Sequence, residues 1–115
     1  MEYKKAHSFE DRLEESHRIR EKFPGRVPCI VERAPTSKDV PLIDKAKFLV
    51  PGDLRVNQFI YIIRKRLVLP SEKALFLFAG NTLPTTSTTM RELYSQHAEH
   101  DGFLYFVYSG ENTFG

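Results

Sequence analysis

Between positions 56 and 67 the apolar residues Val56, Phe59, Ile60, Ile63 and Leu67 recur at i, i+3, i+4, i+7 and i+11. That spacing predicts one helix with a broad apolar face. Arg64, Lys65 and Arg66 fall in its last turns, where cations complement the negative end of the helix dipole. Such a face must be covered, and the chain supplies only short apolar runs to cover it. Cys29 lies in the run from Val27 to Val31, Lys47 to Pro51 is a second, Ala74 to Ala79 a third and Phe103 to Tyr108 a fourth. Each is of strand length and ends at charge, Pro or Gly. One helix crossing a small sheet is the architecture that satisfies all five segments. Tyr61 and Ile62 lie off the helical stripe, which leaves a second apolar face for the N-terminal helix or a partner.

With 115 residues the chain can bury one core and not two. No segment reaches the ~20 apolar residues that cross a bilayer, and the charged start at Met1-Glu2-Tyr3-Lys4-Lys5 is unlike a signal peptide. A cytosolic or nuclear protein is the expectation. The single cysteine, Cys29, can form no internal disulfide and no CxxC metal site, and its apolar neighbours favour a buried structural thiol over a nucleophile.

Ser8 followed by Glu10 and Asp11 predicts the start of a helix over 9–23, stopped by Pro24-Gly25. Its apolar residues, Phe9, Leu13 and Ile19, are sparse, so the helix should lie on a domain and not form its centre. Residues 26–33 read as a strand in which Pro28 removes one ladder donor, a feature of edges or bulges. With 47–51 it makes a hairpin with a long loop. Thr89-Met90-Arg91-Glu92 offers a capped start for a short helix to about Ser95. The tail from Ser109 to Gly115 has no periodicity and should project as a flexible arm. The order helix, strand, strand, helix, strand, short helix, strand matches an α+β, ubiquitin-like β-grasp with an added N-terminal helix. It predicts one sheet with one covered face, a four-stranded mixed sheet with a crossing helix. The division expected is an N-terminal helical extension over 1–25, the β-grasp domain over 26–109 and a C-terminal tail over 110–115.

Charge is unevenly distributed: residues 38–66 carry seven cations against three anions, while the flanking segments are near balance or acidic. A net charge of +2 is too small to argue for nucleic acid. Phe48, Phe59 and Tyr61 could stack on RNA, yet no RNP-like or GXXG motif accompanies them. His97, Glu99, His100 and Asp101 lack HExxH spacing and a distant further ligand, so a polar loop accounts for them better than a metal site. Without a phosphate loop or a nucleophile elbow, an enzyme is not the expectation, and neither is a cofactor. The second strand is the suggestive element. It is five residues long, flanked by prolines and near Lys45 and Lys47. As an edge it either accepts an extended, acidic peptide or is a lysine-protected edge that binds nothing.

Several motifs in order give a resemblance that covers nearly the whole chain. They are Phe23-Pro24-Gly25-Arg26-Val27-Pro28 with Ile30-Val31-Glu32-Arg33, and Lys47-Phe48-Leu49-Val50-Pro51-Gly52-Asp53-Leu54. Gln58-Phe59 with Ile63-Arg64-Lys65-Arg66, Phe103-Leu104-Tyr105 and Phe114-Gly115 complete them. The sequence resembles the autophagy ubiquitin-like modifiers of the GABARAP type. The resemblance implies a β-grasp preceded by two short helices. It implies that Gly115 is adenylated by an activating enzyme, passed to a conjugating enzyme, and joined to the amine of phosphatidylethanolamine. The product would reside on autophagosome membranes, related vesicles and the vacuole or lysosome. A cysteine protease trims family precursors after the glycine and later delipidates them; no residue follows Gly115 here, so an encoded and a processed terminus both stay open.

The resemblance further implies that cargo receptors with aromatic-x-x-aliphatic motifs add a strand to the second strand. Glu15, Ile19, Pro28, Ile30, Lys47, Leu49 and Phe103 would take the aromatic residue. Phe48, Val50, Pro51, Leu54, Phe59 and Ile62 would take the aliphatic one, and Lys45 and Arg66 would meet acidic flanks. Phe48 stands where Tyr is common and Ile62 where Leu is common, which bears on pocket shape and motif preference. The protein is expected to be a monomeric substrate of enzymes that binds no nucleic acid. The other reading is a non-lipidated adaptor in vesicle traffic or on microtubules.

Overall fold

The computed structural model describes residues 1–112. In chain order the elements are α1 (Glu2–Ala6), α2 (Phe9–Lys22), β1 (Arg26–Arg33), β2 (Lys47–Pro51), α3 (Val56–Leu67), β3 (Phe76–Ala79), α4 (Met90–His97) and β4 (Leu104–Ser109). The sheet runs β2-β1-β4-β3, with β1 and β4 parallel at the centre and antiparallel partners outside. β1 pairs with β2 from Ile30↔Lys47 to Arg26↔Pro51, and with β4 from Cys29↔Leu104 to Arg33↔Tyr108.

β1 is an inner strand despite Pro28, and the register explains why. The Val31 N–H donates to the Ala46 carbonyl at 2.8 Å. Backbone direction alternates along a strand, so the odd-numbered N–H groups of β1 face β2 and the Pro28 nitrogen faces the other side. There β4 begins only opposite Cys29. The missing donor therefore falls where no acceptor waits.

The expectation of a single covered face is corrected. Val27, Cys29 and Val31 of β1, with Leu104, Phe106 and Tyr108 of β4, pack on Val56, Phe59, Ile63 and Leu67 of α3 in the main core. The alternate residues Ile30, Phe103 and Tyr105 form a second cluster beneath Ile19 of α2. Both faces are covered because α2 lies opposite α3, and this is why the central strands read as continuous apolar runs without alternation. Cys29 is fully buried, and burial pushes its thiol well above the usual range, as for an inert core residue.

The helix over 9–23 is present as α2, with the Ser8 hydroxyl accepting the Asp11 N–H at 3.1 Å. It lies on the sheet and does not form the centre of the domain, as its sparse apolar residues predict. Phe9 and Leu13 remain about 40% exposed, and the buried residues are Ser16 and Ile19. Polar pins do the rest: Asp101, 2% exposed, takes Arg12 Nη1 on Oδ2 at 3.0 Å, and its backbone carbonyl accepts the Ser16 hydroxyl. Gly102 lies so close to α2 that a Cβ there would meet Ser16 Oγ at 2.3 Å, and its φ of +87° is left-handed.

The first helix, implied by the resemblance and not by periodicity, is also present. α1 has no buried residue; it is held by the Glu32 carboxylate, which accepts the N–H groups of Glu2 and Tyr3 at 2.9 and 2.8 Å, and by the Lys4–Glu99 ion pair. The chain does not project from Ser109, where the arm was expected to begin. Ser109 ends β4 and is buried, and the Gly110 N–H donates to Ser37 Oγ at 2.8 Å. No helix among the described residues is long and apolar enough to cross a membrane.

Candidate peptide-docking edge

β2 has a neighbour on one side only. Since Ala46 and the even-numbered residues of β2 bond toward β1, the backbone groups of Lys47 and Leu49 face the open side. One of these outward carbonyls is already engaged: Leu49 O accepts Arg26 Nη1 at 3.0 Å. Sequence reasoning missed Arg26, because nothing in the order of residues shows that a β1 side chain reaches around the edge strand.

Side-chain parity sorts the expected site residues into two groups, one on each face of the sheet. Lys47 and Leu49 share a face with their partners Ile30 and Pro28, under α2. Phe103, Ile30 and Ile19 make the floor there, buried together, with Leu49 and Tyr3 packed at the margin. Glu15 closes the mouth: its carboxylate accepts Tyr3 OH at 2.7 Å and pairs with Lys47. All seven residues expected around an aromatic side chain thus gather on the α2 face, with Tyr3 as an unforeseen eighth.

Burial alone would raise the Glu15 carboxyl, but the hydrogen bonds from Lys47 and Tyr3 outweigh it and hold the group below the usual glutamate range. A carboxylate depressed in the folded state stabilises above its unfolded pKa, near 4.3, and loses that contribution as pH falls through the folded value. The stability difference between the wild type and Glu15→Gln is therefore expected to be constant above about pH 5.5. It should shrink on acidification, as read from urea midpoints at several pH values. Because Lys47 and Glu15 keep 38% and 28% of their side chains exposed, the difference should stay within about 1 kcal/mol.

Phe48 and Val50 occupy the opposite face, toward α3. The Phe48 ring meets Phe59 edge-on at 5.8 Å between centroids, and it lies beneath Lys45 Nζ at 5.0 Å and the Arg66 guanidinium at 5.9 Å. Arg66 also pairs with Asp44 at 2.9 Å. Leu54 packs at the margin and Ile62 is 37% exposed, whereas Pro51, exposed and paired with Arg26, has the parity of Lys47 and Leu49 and so falls on the α2 face, against the expectation that it joins Phe48 and Val50. Phe59 is fully buried behind Phe48, and Phe48 and Val50 are themselves only 5% exposed, so Leu54 and Ile62 present most of the apolar surface on this face. Tyr61 and Ile62 are covered by neither N-terminal helix, because α2 lies across the other face. Gly115, the expected conjugation residue, and Phe114 lie outside the described residues.

A four-stranded mixed sheet grasping one helix, with two helices added before it and β2 left as an edge with a neighbour on one side only, defines a ubiquitin-like protein. The match to known proteins is specific. The family model "Autophagy protein Atg8 ubiquitin like" matches residues 11–115. Autophagy-related protein 8c of Arabidopsis thaliana is 58% identical over 113 residues, 98% of this chain and 94% of that protein. Autophagy-related protein 8 of Candida glabrata is 55% identical over 98% of this chain and 95% of its own length. Among solved structures, Trypanosoma brucei ATG8 superposes with a TM-score of 0.91 at 44% identity, covering 100% of this chain and 98% of that one. Plasmodium falciparum Atg8, in complex with a peptide of P. falciparum Atg3, superposes at 0.87 with 38% identity over 95% of each chain. The chain belongs to the Atg8 family of autophagy-related ubiquitin-like proteins.

Proposed function

We propose that this chain is a ubiquitin-like modifier joined through Gly115 to phosphatidylethanolamine, and that it recruits cargo receptors to forming autophagosomes by adding their aromatic-x-x-aliphatic motifs to β2. The observation that carries the docking mode is parity. In an extended peptide, residues three apart lie on opposite faces, and β2 is the open edge with one candidate pocket on each face. The aromatic side chain would sit between α2 and the strand, replacing solvent over Ile30, Phe103 and Leu49. The aliphatic one would sit by Val50, Leu54 and Ile62. Lys45, Lys47 and Arg66 favour acids beside the motif, with Lys47 exchanging its bond to Glu15 for one to the ligand.

The peptide of Atg3 bound to the Plasmodium relative supports docking of the conjugating enzyme on this chain too. Conjugation itself rests on the family and on the terminal Phe114-Gly115. An activating enzyme, a conjugating enzyme and a delipidating cysteine protease would be its partners. Two acyl chains would then hold the domain on a membrane, where a single chain holds only marginally. The adaptor on microtubules finds less support, because four of the six cations of the two N-terminal helices are already paired: Lys4 with Glu99, Lys5 with Glu2, Arg12 with Asp101 and Arg18 with Glu14.

Calorimetry tests the docking mode. Lys47→Glu sets two carboxylates against each other at the mouth of the aromatic pocket, and Leu49→Ala removes its margin. Each is expected to weaken binding of an acidic Trp-x-x-Leu peptide by about 1 kcal/mol or more. Unchanged affinity in both would show that the peptide does not use this edge.

A further inference from the structure

At the Pro51 end of β2 a cleft of about 230 Å³ is lined by Arg20, Arg26 and Arg91 around Gly25, Gly52 and Tyr94. Its floor is backbone. The Gly52 N–H donates to Gly25 O at 2.9 Å, and Gly52 O accepts the Arg91 N–H at 2.9 Å. Each arginine is held by a contact that leaves guanidinium donors unused. Arg20 stacks on the Tyr94 ring at 5.2 Å, and Tyr94 is itself fixed by its hydroxyl donating to Gly102 O at 2.6 Å. Arg26 spends one donor on Leu49 O. Arg91 lies flat on Gly52, so closely that a Cβ there would meet Nη2 at 2.6 Å.

No acid answers these charges. Among the described residues none of the three arginines forms an ion pair, and no carboxylate lines the cleft. The acids next to them in sequence are turned elsewhere: Glu21 pairs with His17 at 3.3 Å, and Glu92 closes the capping box with Thr89. Asp53 is exposed and does not line the cleft. Three guanidiniums gathered around a glycine floor repel one another until an anion joins them, and their planar donor forks match phosphoryl oxygens.

We infer that this cleft binds a phosphate monoester carried by the docked peptide, on a serine or threonine that follows the motif. The inference rests on the docking reading above. The aromatic pocket centres on Lys47 to Leu49 and the aliphatic pocket on Val50 to Leu54, so a peptide filling both in order runs parallel to β2. Its next residues pass Pro51 and reach the cleft. Arg26 joins the two sites physically, since it touches both the open edge and the cleft. A dianion suits three cations better than a single carboxylate does.

The test uses an acidic Trp-x-x-Leu peptide with a serine-containing tail after the leucine, plain and phosphorylated, titrated into the whole chain and into Arg91→Gln. Arg91 lies outside both motif pockets, and the bond from its backbone N–H survives the substitution. Phosphorylation is expected to tighten binding to the wild type about tenfold, a charge-assisted pair of ordinary strength. Arg91→Gln and Arg20→Gln should remove that gain and leave the plain peptide within about twofold of wild type. No gain in the wild type, or an equal gain in Arg91→Gln, overturns the proposal. Failure of the plain peptide to bind wild type overturns the docking edge instead, and the phosphopeptide site with it. Phosphoinositide-containing phosphatidylcholine vesicles form the last arm. Capture that depends on Arg91, with no phosphopeptide gain, would assign the cleft to a membrane headgroup and refute the peptide ligand.

Discussion

Asp101→Ala is expected to cost about 3–5 kcal/mol of folding stability, the usual loss when one partner of a buried ion pair is removed. Asp101 holds three donors at once. Asp101 is 2% exposed; Oδ2 accepts both Arg12 Nη1 and the Tyr105 hydroxyl, and Oδ1 accepts the Phe103 N–H at 3.0 Å. Alanine would strand a guanidinium that is 12% exposed, together with a buried hydroxyl and a buried amide. Against a total stability of about 5–15 kcal/mol for a domain of this kind, that is a large fraction. Replacing Arg12 by Met in the same chain should restore part of the loss, since the uncompensated charge leaves with it. Urea denaturation of the two variants checks this. A loss below about 1 kcal/mol for Asp101→Ala would mean that α2 does not depend on this pin. The consequence reaches the docking edge, because Glu15 and Ile19 lie on α2 one to two turns beyond Arg12. A loosened α2 should also weaken binding of the motif peptide.

The parts that were legible in the sequence are those set by local chemistry. The α3 stripe, the Ser8 and Thr89 caps and the breaker at Pro24-Gly25 depend on neighbours within a turn or two, and the elements fall where those signals place them. What stayed hidden depends on residues far apart. The Arg12–Asp101 pair spans 89 positions, and Asp101 alone reads as a polar loop residue. α1 carries no apolar period because Tyr3 alone packs on the second cluster and no residue of the helix is fully buried, and its anchor, Glu32, lies on β1. Pro28 signals an edge in isolation, yet belongs to an inner strand whose pairing with β4 starts one residue later. The two groups of expected docking residues were named through resemblance, and their division between the faces of the sheet became visible only with the register of β1 on β2. Arg91 gave no signal at all: its role beside Gly52 follows from a backbone bond between the β2 end and α4.

Gly115→Ala is expected to have the largest functional effect, near-complete loss of conjugation with no loss of folding. In the proposed modifier the Gly115 carboxylate would pass through narrow catalytic channels as an adenylate and a thioester, and a residue without a side chain threads them with the least obstruction. The core and the β2 edge are built from other residues, so the variant should keep its urea midpoint and its affinity for the motif peptide. The direct measurement is the intact mass of the wild-type protein and of Gly115→Ala after incubation with the family's activating and conjugating enzymes, ATP and phosphatidylethanolamine liposomes. A gain equal to one phosphatidylethanolamine less water, present in the wild type and absent in the variant, is the predicted result. An unmodified wild-type mass from protein that still binds the peptide would contradict the modifier and leave an unconjugated adaptor in its place.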